Sequence, residues 1–140
     1  MTLTVTDDRG QRATAKRTVR LGVERITLLN DATFRFGKAT LTGAGQTRIA
    51  ELRSRLQGRP GTIERIDISG YADFAGTSRF NLDLSVRRAE AVRVALVKAL
   101  KPAPRVNVKG YGESRARAKT WDDPRRGRDR RVDIKVTLQR

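Results

Sequence analysis

The strongest constraint on the fold is a strict alternation of apolar and polar residues near the end of the chain. The segment RRVDIKVTL, residues 130–138, places four apolar side chains on one side of an extended chain: Val132, Ile134, Val136 and Leu138. A period of two is typical of a β-strand with one buried and one solvated face. Such a strand needs a sheet and a second layer that covers its apolar face.

Two segments with helical periodicity can provide that layer. Residues 42–58, TGAGQTRIAELRSRLQG, predict a helix with Thr42 as its N-cap, a stop at Gly58, and apolar residues at helical spacing: Ile49, Leu52 and Leu56. Residues 85–100, SVRRAEAVRVALVKAL, predict an amphipathic helix that begins near Ser85 and carries one apolar stripe: Val86, Ala89, Val92, Leu96 and Leu100.

Further strands are predicted around these helices. ERITLL, ERIDISGY and RVNVKGYGE read as strands, and NDATFRFGKATL is expected to turn back with Phe34 and Phe36 on one face. The order of elements predicts two helices on one face of a mixed sheet, in an α+β or α/β sandwich.

The first 24 residues read as a separate β-hairpin. Residues 2–6 and 12–23 alternate around the turn signal DDRGQ. The pair resembles the last hairpin of an immunoglobulin-like sandwich, so we predict a remnant or linker in residues 1–24 and the main domain in residues 25–140. The alternative is an additional hairpin of the main domain. The start of the sequence lacks the features of a signal peptide and is compatible with a boundary inside a longer protein.

Composition narrows the classes of function. The chain has no histidine and no cysteine, which excludes His-dependent triads, most zinc sites and thiol chemistry. We therefore expect no enzymatic activity, no metal and no cofactor. No apolar run reaches the roughly 18–20 residues of a membrane span. The net charge of +16 implies an anionic partner or surrounding.

Four motifs, in order, resemble one known family. FRFGKATLTGAGQTRIAEL, ISGYADFAGTSRFNLDLSVRRAEAV, VKGYGES and GRDRRVDIKV together resemble the OmpA-like C-terminal domain, over roughly residues 26–138. The resemblance implies a βαβαββ two-layer sandwich, with two helices on a mixed sheet. It also implies non-catalytic binding of peptidoglycan through the diaminopimelate of the stem peptide. The implied location is the periplasm, attached to the outer membrane or cell envelope through a larger parent protein.

The resemblance also implies the site residues. Asp73 would pair with the ligand ammonium and Arg88 with its carboxylate, in agreement with the charges that the zwitterionic end of diaminopimelate requires. Asn81 would order the loop or contact the ligand, Ala72 would border the pocket, and Arg131 or its neighbour would lie beside it. A simple ion pair between Asp73 and Arg88 is the alternative interpretation.

Two departures from the family pattern concern this site. The family's His-Thr-Asp is Tyr71-Ala72-Asp73 here, and its Asn-Arg-Arg is Asp129-Arg130-Arg131. Asp129 should weaken carboxylate binding unless a neighbouring arginine of the loop pairs with it, and we expect such a pairing with Arg125, Arg126 or Arg128. The departures leave open an OmpA-like structural or assembly module that has lost its ligand.

The loop of residues 115–131 is strongly basic, with eight Lys or Arg residues and three Asp residues. Anionic envelope components are possible partners for this loop. Nucleic acid is the rival partner, but aromatic residues make up only 5% of the chain, and most lie at expected core positions.

Overall fold

The computed structural model describes residues 21–58, 62–98, 100 and 103–139. The elements in chain order are β1 (Leu21–Leu29), α1 (Asn30–Thr33), α2 (Gly43–Gln57), β2 (Thr62–Tyr71), α3 (Ser78–Val97), β3 (Arg105–Gly112), α4 (Arg126–Asp129) and β4 (Arg131–Gln139). Without the two short helices α1 and α4, this order is the expected βαβαββ.

The four strands form one mixed sheet in the order β1-β4-β2-β3. Strand β4 lies antiparallel to both β1 and β2, whereas β3 lies parallel to β2. The long helices α2 and α3 pack against each other, and α3 packs on β2 and β3. The predicted α+β two-layer sandwich on a mixed sheet is therefore confirmed.

The core lies between the helices and one face of the sheet. The alternation of β4 is confirmed, since Val132, Ile134, Val136 and Leu138 are at most 2% exposed. They meet the buried residues of both long helices, including Ile49, Leu52, Leu56, Ala89, Val92 and Leu96. Helix α2 begins as predicted, because the Thr42 hydroxyl accepts a hydrogen bond from Gly45 N at 3.0 Å.

Helix α3 begins earlier than the sequence pattern predicted. Its N-cap is Thr77, whose hydroxyl accepts a hydrogen bond from Phe80 N at 3.2 Å, so the helix adds two turns before Ser85. Val86, predicted on the apolar stripe, is 41% exposed and was wrongly placed. It lies beside Gly110 of β3, at the margin of the helix–sheet contact.

The segment between β1 and α2 also differs from the expectation. Residues 30–33 form the short helix α1, and only a single bridge joins Phe34 to Leu41. Phe34 is buried, but Phe36 is fully exposed beside Gly37, which has φ +67°. The prediction that both phenylalanines lie on one face was therefore wrong, because a turn rather than an extended strand follows Phe34.

The predicted hairpin falls mostly outside the described residues. Residues 1–20 are not described, while Leu21–Leu29 form one continuous strand that pairs with β4 from Leu21 onward. The division at residue 24 stays a prediction, although this strand runs across it. Within the described part of the chain, no helix is both long and apolar enough to cross a membrane.

Helix α3 lies unusually close to β2 and β3. A Cβ added at Gly70 would lie 2.2 Å from the Ser85 carbonyl oxygen, and one at Gly110 would lie 2.4 Å from Val86 Cγ2. The Ser85 hydroxyl also accepts a hydrogen bond from Gly112 N at 3.0 Å. This close contact fixes α3 directly above the end of β2, where the chain leaves the sheet towards Asp73.

Candidate functional site

A cavity of about 630 Å³ opens where β2 ends and α3 begins. Its walls come from α1 and the following turn, from the loop after β2, from α3 and from α4. Charged and amide side chains line one part of it: Asn30, Asp31, Asp73, Asn81, Arg88, Arg126 and Arg130. Aromatic and aliphatic side chains line the rest: Phe34, Phe36, Phe80, Leu84 and Trp121.

Asp73 is a buried carboxylate held in a fixed orientation. The residue is 5% exposed, and its Oδ1 accepts a hydrogen bond from Ala75 N at 3.1 Å. Its Oδ2 accepts one from Arg126 Nε at 3.1 Å and one from Arg130 Nη1 at 2.7 Å. The carboxylate is thus oriented by the loop backbone and is paired with two guanidinium groups.

Arg88 lies on the opposite wall and does not pair with Asp73. It is 8% exposed, its Nε donates to Lys38 O at 2.8 Å, and its guanidinium lies 5.2 Å from the centre of the Phe34 ring. Burial lowers the pKa of Arg88, while the negative charge of Asp31 acts in the opposite direction. The interpretation of Asp73 and Arg88 as an ion pair is therefore wrong.

The early start of α3 places Arg88 far from the helix N-terminus. Because α3 begins at Ser78, Arg88 lies almost three turns inside the helix rather than in its first turn. The effect of a helix dipole is confined to the first and last turns. A start near Ser85 would place Arg88 in the first turn, where the helix N-terminus also favours a bound carboxylate; the observed start at Ser78 removes that contribution.

Asn81 orders the loop that carries Asp73. Its side-chain amide donates to Ala75 O at 2.6 Å, to Asp73 O at 3.3 Å and to Glu113 Oε1 at 2.8 Å. The loop turns at Gly76, whose φ of +85° favours glycine. Asn81 therefore connects the loop, α3 and the end of β3 at the floor of the cavity.

Arg130 joins the cavity, whereas Arg131 does not. Arg130 bridges Asp73 to Asp31 and donates from Nη2 to Asp31 Oδ2 at 2.6 Å. This hydrogen bond raises the pKa of Arg130 and lowers that of Asp31. Arg131 lies on the other face of the sheet, 4.0 Å from the centre of the Tyr71 ring and 3.0 Å from Asp133. The arginine that lines the cavity is therefore Arg130 and not the predicted Arg131. Strand alternation sends the two side chains to opposite faces of the sheet.

Asp129 has a structural position that the sequence did not indicate. It is 3% exposed, and its carboxylate accepts hydrogen bonds from Arg117 N at 3.0 Å and Ala118 N at 2.9 Å. The expected pairing with a loop arginine side chain was wrong, since backbone amides take both oxygens. Asp129 also lies outside the cavity lining.

Of the residues predicted for the site, Ala72, Asp73, Asn81 and Arg88 line this one cavity. Asp31 was not predicted as a site residue from the sequence. Arg126 was counted only as one of the positive charges of the basic loop. The one signal for Arg130 was its position next to Arg131 in the alternating strand. Nothing in the sequence indicated that Arg126 would reach Asp73, which lies 53 residues before it.

The charges of the cavity suit a ligand that carries both signs. Two carboxylates and three guanidinium groups lie on its walls, and the buried pair of opposite sign, Asp73 and Arg88, lies on different elements. A ligand with adjacent ammonium and carboxylate groups could form charge-assisted hydrogen bonds to both. Among the described residues, no group of acidic side chains could hold a metal ion.

Comparison with known proteins places this cavity in context. A family model described as "OmpA family" matches residues 33–131. Outer membrane protein A of Escherichia coli O157:H7 is 33% identical over 122 residues, and that of Yersinia pseudotuberculosis is 34% identical over 122 residues. Each alignment covers 81% of this chain but 35% of the relative. The chain thus spans about a third of the length of these curated relatives.

Solved structures share the fold. The cell wall anchor of the T6SS from Pseudomonas aeruginosa superposes with a TM-score of 0.69 at 25% identity, over 85% of this chain and 88% of that chain. The peptidoglycan-associated lipoprotein from Burkholderia pseudomallei has a TM-score of 0.59 at 27% identity, over 78% and 88%. The periplasmic domain of Helicobacter pylori MotB has a TM-score of 0.68 at 19% identity, over 81% of this chain and 73% of that chain. At this identity the likeness shows a common fold only.

Proposed function

The chain belongs to the OmpA family, and we propose that it binds peptidoglycan without catalysis, through the diaminopimelate of the stem peptide. In this role it anchors an envelope protein to the cell wall. One observation carries the proposal: a buried carboxylate, Asp73, and a buried guanidinium, Arg88, face the same cavity from different elements and do not pair with each other.

The chemistry of diaminopimelate supports this choice of ligand. The free end of meso-diaminopimelate has an ammonium and a carboxylate on one carbon atom. Arg88 offers a planar fork that can pair with the carboxylate through two bonds. Because Arg88 is buried, its charge-assisted pair with a carboxylate is stronger than a similar pair on the surface. Asp73 provides the matching acceptor for the ammonium.

The relatives support the class of partner. Two of the solved structures are named as a cell wall anchor and a peptidoglycan-associated lipoprotein, both at 25% identity or more. The curated relatives are outer membrane proteins. The proposed location is therefore the periplasm, with attachment to the envelope through a larger protein.

Less supports the partners that were predicted for the basic loop of residues 115–131, anionic envelope components and nucleic acid. Most of its arginines already have partners: Arg125 pairs with Asp123, Arg126 and Arg130 with Asp73, and Arg131 with Asp133. Nucleic acid is disfavoured because Tyr71 and Tyr111 stack on each other at 5.1 Å, and Arg131 and Arg115 lie over these rings. The faces of these two tyrosine rings are thus occupied.

Sedimentation with purified sacculi tests the proposal. The variants Asp73→Asn and Arg88→Gln should each lose most of the bound fraction, because each leaves a charge of the ligand unpaired in a desolvated site. Arg87→Gln is the matched control: Arg87 adjoins Arg88, but its side chain is exposed and pairs with Asp83. Free meso-diaminopimelate should compete with the sacculi for the wild-type protein.

Three results would count against this function. The first is retention by the wild type that meso-diaminopimelate does not reduce. The second is full retention of the folded Arg88→Gln variant by the sacculi. The third is a steep loss of binding with increasing salt in the wild type and all variants alike, which would indicate a polyelectrolyte binder. Thermal melts of each variant are needed, since Asp73 also holds Arg126 and Arg130 in place.

A further inference from the structure

The carboxylate expected to receive the ligand ammonium is already occupied. Asp73 Oδ2 lies 3.0 Å from Arg126 Nη2 and 2.7 Å from Arg130 Nη1, and Arg126 Nε also donates to it at 3.1 Å. Only Oδ1, which accepts a hydrogen bond from Ala75 N, keeps capacity for another donor. An ammonium that approaches Asp73 therefore meets two positive charges.

The two arginines at Asp73 are held differently. Arg130 is shared with Asp31 and lies directly before β4. Arg126 comes from the short helix α4, and its guanidinium lies 4.6 Å from the centre of the Trp121 ring and 5.4 Å from that of Phe74. Its Nη1 also donates to Trp121 O at 3.1 Å. Arg126 thus reaches Asp73 from the start of α4, against two aromatic rings that contact each other.

From these contacts we infer that Arg126 is a specificity-determining residue, an internal cation that competes with the ligand ammonium for Asp73. This inference rests on the proposed function of the cavity. With Arg126 in place, Asp73 is shared between this guanidinium and the ligand ammonium, so the ammonium contributes less to affinity than it would at an unshared carboxylate. With Arg126 displaced, more of Asp73 is available and the ammonium contributes more.

The inference predicts a change in selectivity rather than a simple gain or loss of affinity. Two ligands separate the contributions: meso-diaminopimelate, and pimelic acid, which is the same seven-carbon diacid without amino groups. Arg126→Gln removes the competitor for the ammonium and also one positive charge that attracts a diacid. The ratio of the two affinities should therefore rise in favour of meso-diaminopimelate by about tenfold, which corresponds to about 1.4 kcal/mol.

Arg128→Gln is the matched control. Arg128 belongs to the same helix α4 and is exposed, and its substitution removes the same charge without touching the cavity lining. Its loss also weakens the attraction for the doubly charged pimelate, so the ratio should rise only slightly, and any further rise in the Arg126 variants reports the lost competition at Asp73. Arg126→Met, which keeps an unbranched apolar side chain beside Trp121 and Phe74, should reproduce the change in ratio if Arg126→Gln fails to fold.

Isothermal titration of both ligands on the wild type and these variants, at one salt concentration, decides between the outcomes. A ratio that rises clearly more in the folded Arg126 variants than in Arg128→Gln supports the inference. A ratio no higher than in Arg128→Gln, while the wild type binds meso-diaminopimelate, overturns the inference and leaves the proposed function intact. If neither the wild type nor the Arg126 variants bind meso-diaminopimelate, the proposed function fails, and the inference fails with it.

Discussion

Replacing Asp129 should destabilise the fold and leave the ligand site unchanged. Asp129 accepts hydrogen bonds from Arg117 N and Ala118 N and so fixes the loop between β3 and α4. Asp129→Ala leaves both amides without this acceptor. Ala118 is 1% exposed, so water cannot easily replace the lost bond at its amide.

The magnitude follows from these two bonds. A buried amide left unsatisfied costs about 1–3 kcal/mol, whereas the amide of the exposed Arg117 can reach water and adds about 0.5–1.5 kcal/mol. We therefore expect Asp129→Ala to lower the free energy of unfolding by about 2–4 kcal/mol. Asp129→Asn keeps one acceptor oxygen but turns an NH₂ group towards the other amide, and should cost about 1–2 kcal/mol.

Urea unfolding followed by circular dichroism measures this difference. Asp122→Ala is the control, because Asp122 lies in the same loop but is exposed and bonded only to the Thr120 hydroxyl. It should change the free energy of unfolding by less than about 0.5 kcal/mol. If Asp129→Ala were equally mild, the two backbone bonds would not hold the loop. If folded Asp129→Asn bound diaminopimelate tenfold more tightly, Asp129 would act on the ligand after all.

Three further predictions concern the frame of the site and its charges. Gly70→Ala should lower the free energy of unfolding by at least about 1–3 kcal/mol in urea titrations, because its Cβ would lie 2.2 Å from Ser85 O; Gly43→Ala, which meets open space, should not, and equal effects would contradict the close contact. Thr77→Ala should cost about 1 kcal/mol through loss of the α3 N-cap, and a thermal melt identical to the wild type would refute that cap. Asp31 has a pKa lowered by its hydrogen bond from Arg130, so its stabilising contribution is present above its unfolded-state pKa of about 3.9 and is lost as the pH falls through the lower folded-state value. Asp31→Asn should then lose less stability than the wild type in unfolding titrations between pH 6 and pH 2, and parallel losses would speak against this ion pair.

The regular elements could be predicted because local pattern and packing agree. The alternation of β4 and the Thr42 cap of α2 were read directly from the sequence, and both are present. The start of α3 was missed because the two turns before Ser85 carry apolar residues, Phe80 and Leu82, that are about half exposed. Apolar periodicity cannot reveal a helical turn whose exposed positions are apolar too.

The site could be predicted only where the family pattern specified it. Asp73 and Arg88 were assigned by resemblance, and the structure brings both to one cavity. Arg126 and Asp31 were out of reach, because their contacts join segments far apart in the chain: Arg126 meets Asp73, and Arg130 meets Asp31 across 99 residues. A run of arginines indicates charge, but the partner of each depends on the turn geometry of α4.

The position of β4 in the sheet has a consequence for how the domain folds. Strand β4 lies between β1 and β2, and its register pairs Leu21 with Gln139. Among the described strands, β1 therefore pairs only with β4, which is the last to be synthesised. Contacts of such long sequence separation slow folding, since the entropy of closing the loop is lost before the contacts form. Among the described elements, a nascent chain that lacks β4 can form the parallel pair of β2 and β3 with α2 and α3, but no other described strand pairs with β1. We therefore expect the domain to fold as a unit only after residues 131–139 have emerged.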